Sequence, residues 1–319
     1  MKKRVITGVC YVIVMVGLLV MKLLIPETGG IAYGALGVDV LFWAISVIGA
    51  YEFTRALGER KRVIDENGNI SFTEGISNAQ RWVALVTCAL MTPAFVVGKF
   101  VAIAKGDMRM GGLALVLLLA VGSVGAMVTA SLTVFDHERS DIKSTAYAEL
   151  CLLYCGALAS VGPNINHMAN NSDVAIIFLF ILVPFVDVGA FFVGKLLGKA
   201  LPLKLAPHTS PNKTVVGAVG GVLGGFLAAV VVWLLCKYTF IGFENVTKMP
   251  DLVVLLLISL PTSIMAQLGD LFESAIKRGC GIKDMGNILP GHGGILDRFD
   301  SMLFATVAVV VCFLVVWVA

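Results

Sequence analysis

Asp270, Glu273, Ser274 and Lys277 recur at i, i+3, i+4 and i+7. On a helix this spacing stacks carboxylate, hydroxyl and ammonium groups along one face. Such a stack can hold a divalent cation and the phosphate bound to it, because hard carboxylate oxygens suit Mg²⁺ and a cation meets phosphate oxygens. The same four residues could also form the plain polar end of an amphipathic helix. The rest of the run favours the chemical reading. Residues 269–300 read GDLFESAIKRGCGIKDMGNILPGHGGILDRFD, adding Arg278, Lys283, Asp284, His292, Asp297, Arg298 and Asp300 between two apolar stretches. Pro290-Gly291-His292-Gly293-Gly294 cannot be a regular helix and reads as a loop presenting backbone donors and one imidazole. Asp270 and Asp297 each stand where the charged run meets an apolar stretch. Brought to one depth from consecutive spans, they could share one or two metal ions.

A second constellation lies upstream. Asp187 sits inside an apolar segment, three residues after Pro184, and is followed by Lys195 and Lys199. A carboxylate at such depth needs a partner, and it marks either a site or an ion pair kept for packing. Ser210-Pro-Asn-Lys213-Thr214 then opens the next apolar run. Ser, Lys and Thr at a helix N-terminus make a natural phosphate cradle.

The stretch from Ser274 to Asp300 resembles the signature of the phosphatidate cytidylyltransferase (CDP-diacylglycerol synthase) family. The matching elements are Ser274, Lys277, Arg278, Lys283, Asp284, Gly286, Pro290, His292, Gly293, Gly294, Asp297, Arg298 and Asp300. DVGAFFVGKLLGK, SPNKTVVGAVGG and the stretch Ala50-Tyr51-Glu52-Phe53 are similar to family segments too. The chain departs from the pattern at Val216, where the family carries an acidic or amide residue. The resemblance implies transfer of the cytidylyl group of CTP to phosphatidic acid, giving CDP-diacylglycerol and pyrophosphate. It implies Mg²⁺, beside a possible second cation, on Asp270 and Asp297, with Asp187 and Asp300 as secondary candidates. It gives Asp270, Lys277, Asp297 and Arg298 catalytic roles. Ser210, Lys213, Thr214, Ser274, Arg278, Lys283, His292, Gly293 and Gly294 would bind substrate. It further implies contact with membrane lipids and a homodimer formed through membrane helices.

Two other readings compete. A CTP-dependent polyprenol or phytol kinase shares part of the signature but directs a hydroxyl at the γ-phosphorus. An ion-coupled transporter would explain Asp187 and Asp270 as ion sites, yet leaves the cation-rich glycine loop unexplained. No internal repeat of the kind many transporters carry is evident.

The elements that must position these residues are membrane helices. The 319 residues are 58% hydrophobic and 14% charged, with mean hydropathy +0.92. Apolar runs able to cross about 30 Å of hydrocarbon recur at 5–25, 32–56, 82–104, 111–134, 145–162, 174–194, 215–240, 252–271 and 301–318. The fold class is therefore an all-α polytopic membrane protein of about nine spans. Five spans fall in an N-terminal region, 1–165, and four in a C-terminal catalytic region, 166–319, whose loops at 195–214 and 272–300 carry the chemistry. With a cytoplasmic N-terminus, 18 of the 24 Lys and Arg fall on the inner side, as the positive-inside rule requires. This places the charged run in the cytoplasm, at the inner face of a cell membrane. The first span has no small-residue cleavage site before Pro26 and reads as retained. A net charge of +3 spread over loops gives no argument for nucleic-acid binding. Most of the seven cysteines lie in spans without metal-site spacing and read as packing residues. The segment 58–80 reads as a connector with a hairpin around Asn67-Gly68, and Gly217, Gly220, Gly221, Gly224 and Gly225 predict close helix packing.

Overall fold

The structure is a computed structural model that describes residues 2–25, 33–64, 70–105, 112–136, 138–168, 171–245, 247–289 and 293–318. The chain is helical, with α1 (Lys2–Leu24), α2 (Leu36–Leu57), α3 (Asn78–Lys105), α4 (Leu113–Phe135), α5 (Ile142–Cys151), α6 (Leu158–Asn166), α7 (Ser172–Leu197), α8 (Val215–Tyr238), α9 (Asp251–Gly279) and α10 (Leu296–Val318). Leu152–Ala157 is a π-helical turn that joins α5 to α6. Among the described residues eight helical segments are long and apolar enough to cross a membrane, and Val12–Leu24 is a shorter apolar one. The polytopic all-α expectation holds. Two short antiparallel hairpins add to it. In the first, β1 (Arg62–Ile64) pairs with β2 (Ile70–Phe72). In the second, β3 (Lys204–Ala206) pairs with β4 (Ser210–Thr214). The expected Asn67-Gly68 tip lies outside the described residues, although the strands on either side of it pair.

The helices overrun the apolar runs where the charges are. α9 continues two turns past 271 to Gly279, and α10 begins at Leu296 rather than 301. Asp270, Glu273, Ser274, Lys277, Asp297, Arg298 and Asp300 are thus helical residues at span ends.

The chain divides into two compact units. The first holds Met1–Val9, Ile25–Pro163 and Asp284–Asp297. Its interior buries Phe42, Ile45 and Phe53 of α2 with Tyr154, and Cys88, Cys151 and Cys155 are buried thiols within it. Ser46 and Trp43 of α2 donate to the Cys88 and Ala89 carbonyls of α3 at 3.1 and 2.9 Å. Near the close of this unit Asp141 caps α5, accepting from the Ser144 N–H at 2.8 Å while Ser144 Oγ returns a bond to the Asp141 N–H.

The second unit holds Cys10–Leu24, Asn164–Lys283 and Arg298–Ala319. Here the glycines of α8 do what their spacing predicts. A methyl group at Gly220 or Gly224 would strike Val193 or the Phe185 carbonyl of α7, and one at Gly225 would strike Ser263 of α9. Backbones that approach this closely maximise dispersion contact where no hydrophobic effect drives association.

Polar contacts within each unit respect the expected sidedness. Arg60 meets Asp141 at 2.7 Å in the first unit, joining two segments expected inside. In the second, Lys22 meets Asp173 at 3.0 Å, and Asn171 exchanges two hydrogen bonds with the Glu244 backbone at 2.8 and 2.7 Å. Those segments are all expected outside. The polar run itself is shared: 284–297 belong to the first unit, and 270–283 and 298–300 to the second.

Candidate functional site

A cavity of about 600 Å³ opens in the second unit beside α7, the β3–β4 hairpin, α8 and α9. Its polar lining includes Asp187, Lys195, Ser210, Lys213, Thr214 and Asp270, set against apolar wall from Phe191 and Leu205. Four residues that the sequence singled out in three separate segments, Asp187, Ser210 with Lys213, and Asp270, therefore line one space.

Local structure explains how each reaches it. The β3–β4 pairing sets Lys204 opposite Thr214 and Ala206 opposite Ser210, with an irregularity between. This turns the Ser-Pro-Asn-Lys-Thr segment back over the cavity as a strand rather than a first helical turn. Thr214 is the N-cap of α8: its Oγ1 accepts from the Gly217 N–H at 3.0 Å. Its hydroxyl oxygen is used on the helix end. One residue earlier, Lys213 forms an ion pair with Asp270, and both side chains are about one-third exposed. Ser274 Oγ lies 3.4 Å from the Asp270 carboxylate, so the i, i+4 relation read from the sequence is a contact.

Deeper in the same unit, Glu273 is fully buried and accepts from Lys277 Nζ at 2.8 Å. Among the described residues its second oxygen has no hydrogen-bond donor, and it lies beside the buried Asp300 carboxyl. Two acceptors facing each other need a shared proton or a cation. The close approach is possible because a side chain at Gly269 would strike the Asp300 carbonyl, and because Phe272 packs on Phe304 with ring centroids 5.4 Å apart. Asp187 has Asp300, Asp270, Lys213 and Arg298 as electrostatic neighbours. Arg278 reaches the Thr209 and Ile282 carbonyls at 3.4 and 3.2 Å, which ties the end of α9 to the β3–β4 turn.

Residues 284–289 and 293–297 are organised differently. Asp297 Oδ2 accepts from the backbone N–H groups of Met285 and Gly294 at 2.9 and 2.7 Å. The Leu289 N–H bonds the Gly293 carbonyl at 2.9 Å, and Gly293 takes φ +86°, a conformation that favours glycine. Pro290, Gly291 and His292 lie outside the described residues, so His292 has no structural account here. Asp270 and Asp297, expected to act together, belong to different units.

The sequence reading overlooked Glu52 as a chemical group. It was noticed only within Ala50-Tyr51-Glu52-Phe53. The available signal was a carboxylate inside an apolar span. Glu52 is 1% exposed, and its two oxygens accept from the Ile295 and Leu296 N–H groups at 3.1 and 2.9 Å.

The donor set fits Mg²⁺ of one kind. Among the described residues no three His, Cys, Asp or Glu side chains converge as a metal cage. Oxygen donors are nonetheless concentrated at the cavity, an ammonium already sits on Asp270, and Glu273 carries an orphaned oxygen. One or two carboxylates completed by substrate phosphates and water is the usual arrangement for Mg²⁺. The residues fit an ion bridged by substrate.

A family model described as "Cytidylyltransferase family" matches residues 2–316. Similar proteins include the phosphatidate cytidylyltransferase of Bacillus subtilis (strain 168), 40% identical over 173 residues. That alignment covers 54% of this chain and 59% of the relative. The namesake from Staphylococcus saprophyticus is 38% identical over 180 residues, 56% of this chain and 63% of the relative. The one from Helicobacter pylori (strain J99) is 47% identical over 146 residues, 45% of this chain and 49% of the relative. The chain thus spans about half to three-fifths of the length of the curated relatives it matches.

Proposed function

The chain belongs to the cytidylyltransferase family, and on that premise we propose that it transfers the cytidylyl group of CTP to phosphatidic acid, releasing pyrophosphate, at the cytoplasmic face of a bacterial cell membrane. A lipid phosphate oxygen attacks the α-phosphorus of CTP. The bond from that phosphorus to the bridging oxygen breaks, and pyrophosphate leaves with the electron pair. Both reactants are polyanions, so the protein's task is to neutralise charge and align groups rather than to abstract a proton. The observation that carries this reading is the cavity, where Lys213 and Asp270 meet between polar and apolar walls.

Lys213 forms an ion pair with Asp270, which keeps its ammonium at the cavity. An arriving phosphate competes for that ammonium and releases the carboxylate. Asp270, with Asp297 as its proposed companion, would hold Mg²⁺ through oxygen. The ion would supply charge neutralisation on the phosphate oxygens. Lys277, Arg278, Lys283 and Arg298 add positive charge along the same run. Phe191 and Leu205 provide an apolar wall beside the charged one, which suits a substrate whose head is ionic and whose tails stay in lipid. The 18-to-6 distribution of Lys and Arg supports a cytoplasmic site, where nucleotides are. A homodimer through membrane helices belongs to the same proposal.

The test is an incubation of purified full-length protein with phosphatidic acid, Mg²⁺ and CTP labelled separately on the α- and γ-phosphorus. Label from α entering lipid is the expected result, abolished by chelation and restored by Mg²⁺. Label from γ would make the protein a lipid kinase, and label from neither would remove the enzymatic reading.

A further inference from the structure

We infer that Glu52, on a helix far upstream of the charged run, is a positioning residue that clamps the backbone at Ile295 and Leu296 and so sets where Asp297 stands. The inference rests on the cytidylyl-transfer reading above. Its starting observation is energetic. Glu52 is 1% exposed inside a segment of hydropathy 1.6. A buried carboxylate in a span persists when its lone pairs are satisfied and when it does something there.

Both oxygens are satisfied by backbone. Oε1 accepts from Ile295 and Oε2 from Leu296, at the point where α10 begins. The first N–H groups of a helix have no partner within it, and negative charge at that end is favourable. Glu52 therefore acts as a cap supplied from another helix, 244 residues away in sequence.

The loop is shaped around this carboxylate. A side chain at Gly286 or at Gly294 would collide with the Glu52 carboxyl group. One at Gly49, a turn earlier on α2, would press within 3.2 Å of Leu296 Cδ1. Gly294, which the sequence places in a loop presenting backbone donors, thus also makes room for Glu52. A second carboxylate completes the clamp, with Asp297 Oδ2 taking the Met285 and Gly294 N–H groups. Four backbone donors of one short segment are committed to two carboxylates, one from outside the segment and one at its end. If Glu52 lets go, Ile295 and Leu296 lose their acceptors, and the turn that fixes Asp297 loses its outer support. Glu52 itself touches backbone, so its effect on the reaction runs through Asp297.

The experiment compares wild type with Glu52→Gln and Glu52→Asp in the full-length protein. Glutamine keeps the volume but places a donor against a donor, whereas aspartate keeps the charge on a shorter stem. Three readouts are taken: cytidylyl transfer, thermal unfolding in detergent, and hydrogen–deuterium exchange by peptide. The expected result for Glu52→Gln is a fall in kcat of about 100-fold or more with CTP KM within about threefold, the pattern of lost transition-state alignment. Exchange should rise in peptides covering 284–297 and stay unchanged in α8. Glu52→Asp should recover at least about tenfold of the lost kcat and part of the protection, and it carries the test if the glutamine variant does not fold. Unchanged kcat with unchanged exchange in 284–297 would overturn the inference. So would uniform deprotection with loss of folded protein in both variants, since that marks a folding residue. A wild type that transfers no label from α would sink the functional reading instead, and the exchange data would still judge the clamp.

Discussion

The β1–β2 hairpin leads from α2 to α3, and the β3–β4 hairpin leads from α7 to α8. Both are short antiparallel pairs with basic side chains in or beside their strands, and both are expected on the cytoplasmic side. They use their cations in opposite ways. In the first, Arg60 stacks over the Phe72 ring at 5.1 Å and bonds Asp141, which is already the cap of α5. Lys61 pairs with Glu59 at 3.3 Å in the open. In the second, Lys213 projects into a cavity and meets Asp270, whose other hydrogen-bond contact among the described residues is a side-chain hydroxyl at 3.4 Å. A cation bound to a helix cap is part of the scaffold. One that pairs with a carboxylate lacking backbone donors can be drawn away by a stronger anion. The partner's own commitments, more than the cation's type, separate a structural charge from a working one.

The largest effect should come from breaking the second pair. Asp270→Asn and Lys213→Ala are expected to cut cytidylyl transfer by at least about 100-fold, in the range seen when preorganised charge at a reacting centre is removed. The proteins should remain folded in detergent, because both side chains are partly exposed. If Asp270→Asn keeps more than about a tenth of wild-type turnover, the loss is under about 1.4 kcal/mol of barrier and Asp270 is no primary ligand. A Lys213→Ala enzyme with unchanged turnover and CTP dependence would remove the second hairpin from the site.

A smaller contrast sharpens the comparison. Thr214→Val removes the cap hydroxyl of α8 while keeping the strand and its shape. It should cost about 1 kcal/mol of stability, read as a lowered Tm, with activity falling less than for Lys213→Ala. Lys61→Ala should leave both within error, since exposed pairs contribute little and are screened by salt. A Thr214→Val loss as large as that of Lys213→Ala would mean that the hydroxyl meets substrate as well as the helix.

Much of this was legible in the sequence because it is local or periodic. The span pattern follows from hydropathy. The Asp270–Ser274 and Glu273–Lys277 contacts follow from i, i+4 spacing on α9. Asp187, Ser210, Lys213 and Asp270, which the resemblance assigned to one site, line one cavity. What escaped is long-range or depends on backbone. Glu52 reads as one carboxylate in a span, and its partners are N–H groups that no side-chain pattern records. Thr214 reads as a phosphate ligand, and its role as a cap appears only once β4 is seen to end there. Asp297 reads as a metal ligand, and its oxygen on two backbone donors depends on where the Met285 and Gly294 N–H groups lie.

The smallest expected effect lies in the first hairpin and concerns pH. Burial alone would push the Asp141 carboxyl up, but the Ser144 backbone N–H and then the Arg60 guanidinium outweigh it and hold the group below the usual carboxylate range. A carboxyl depressed in the folded state stabilises the protein fully above its unfolded value, and that contribution is lost as pH falls through the folded value. Asn is as good a cap as Asp, so Asp141→Asn keeps the bond to Ser144 and removes the charge alone. At pH 7 the variant should be less stable than wild type by under about 1 kcal/mol, because the Asp141 side chain is 36% exposed and solvent screens the pair. The gap should close as pH is lowered below 3.8, the ordinary value for this group. Thermal unfolding of both proteins in detergent across that range is the measurement. Transfer activity near neutral pH should be the same in the two. A drop in activity like that of Asp270→Asn would show that the first hairpin also works on substrate, and the distinction between the two hairpins would fail.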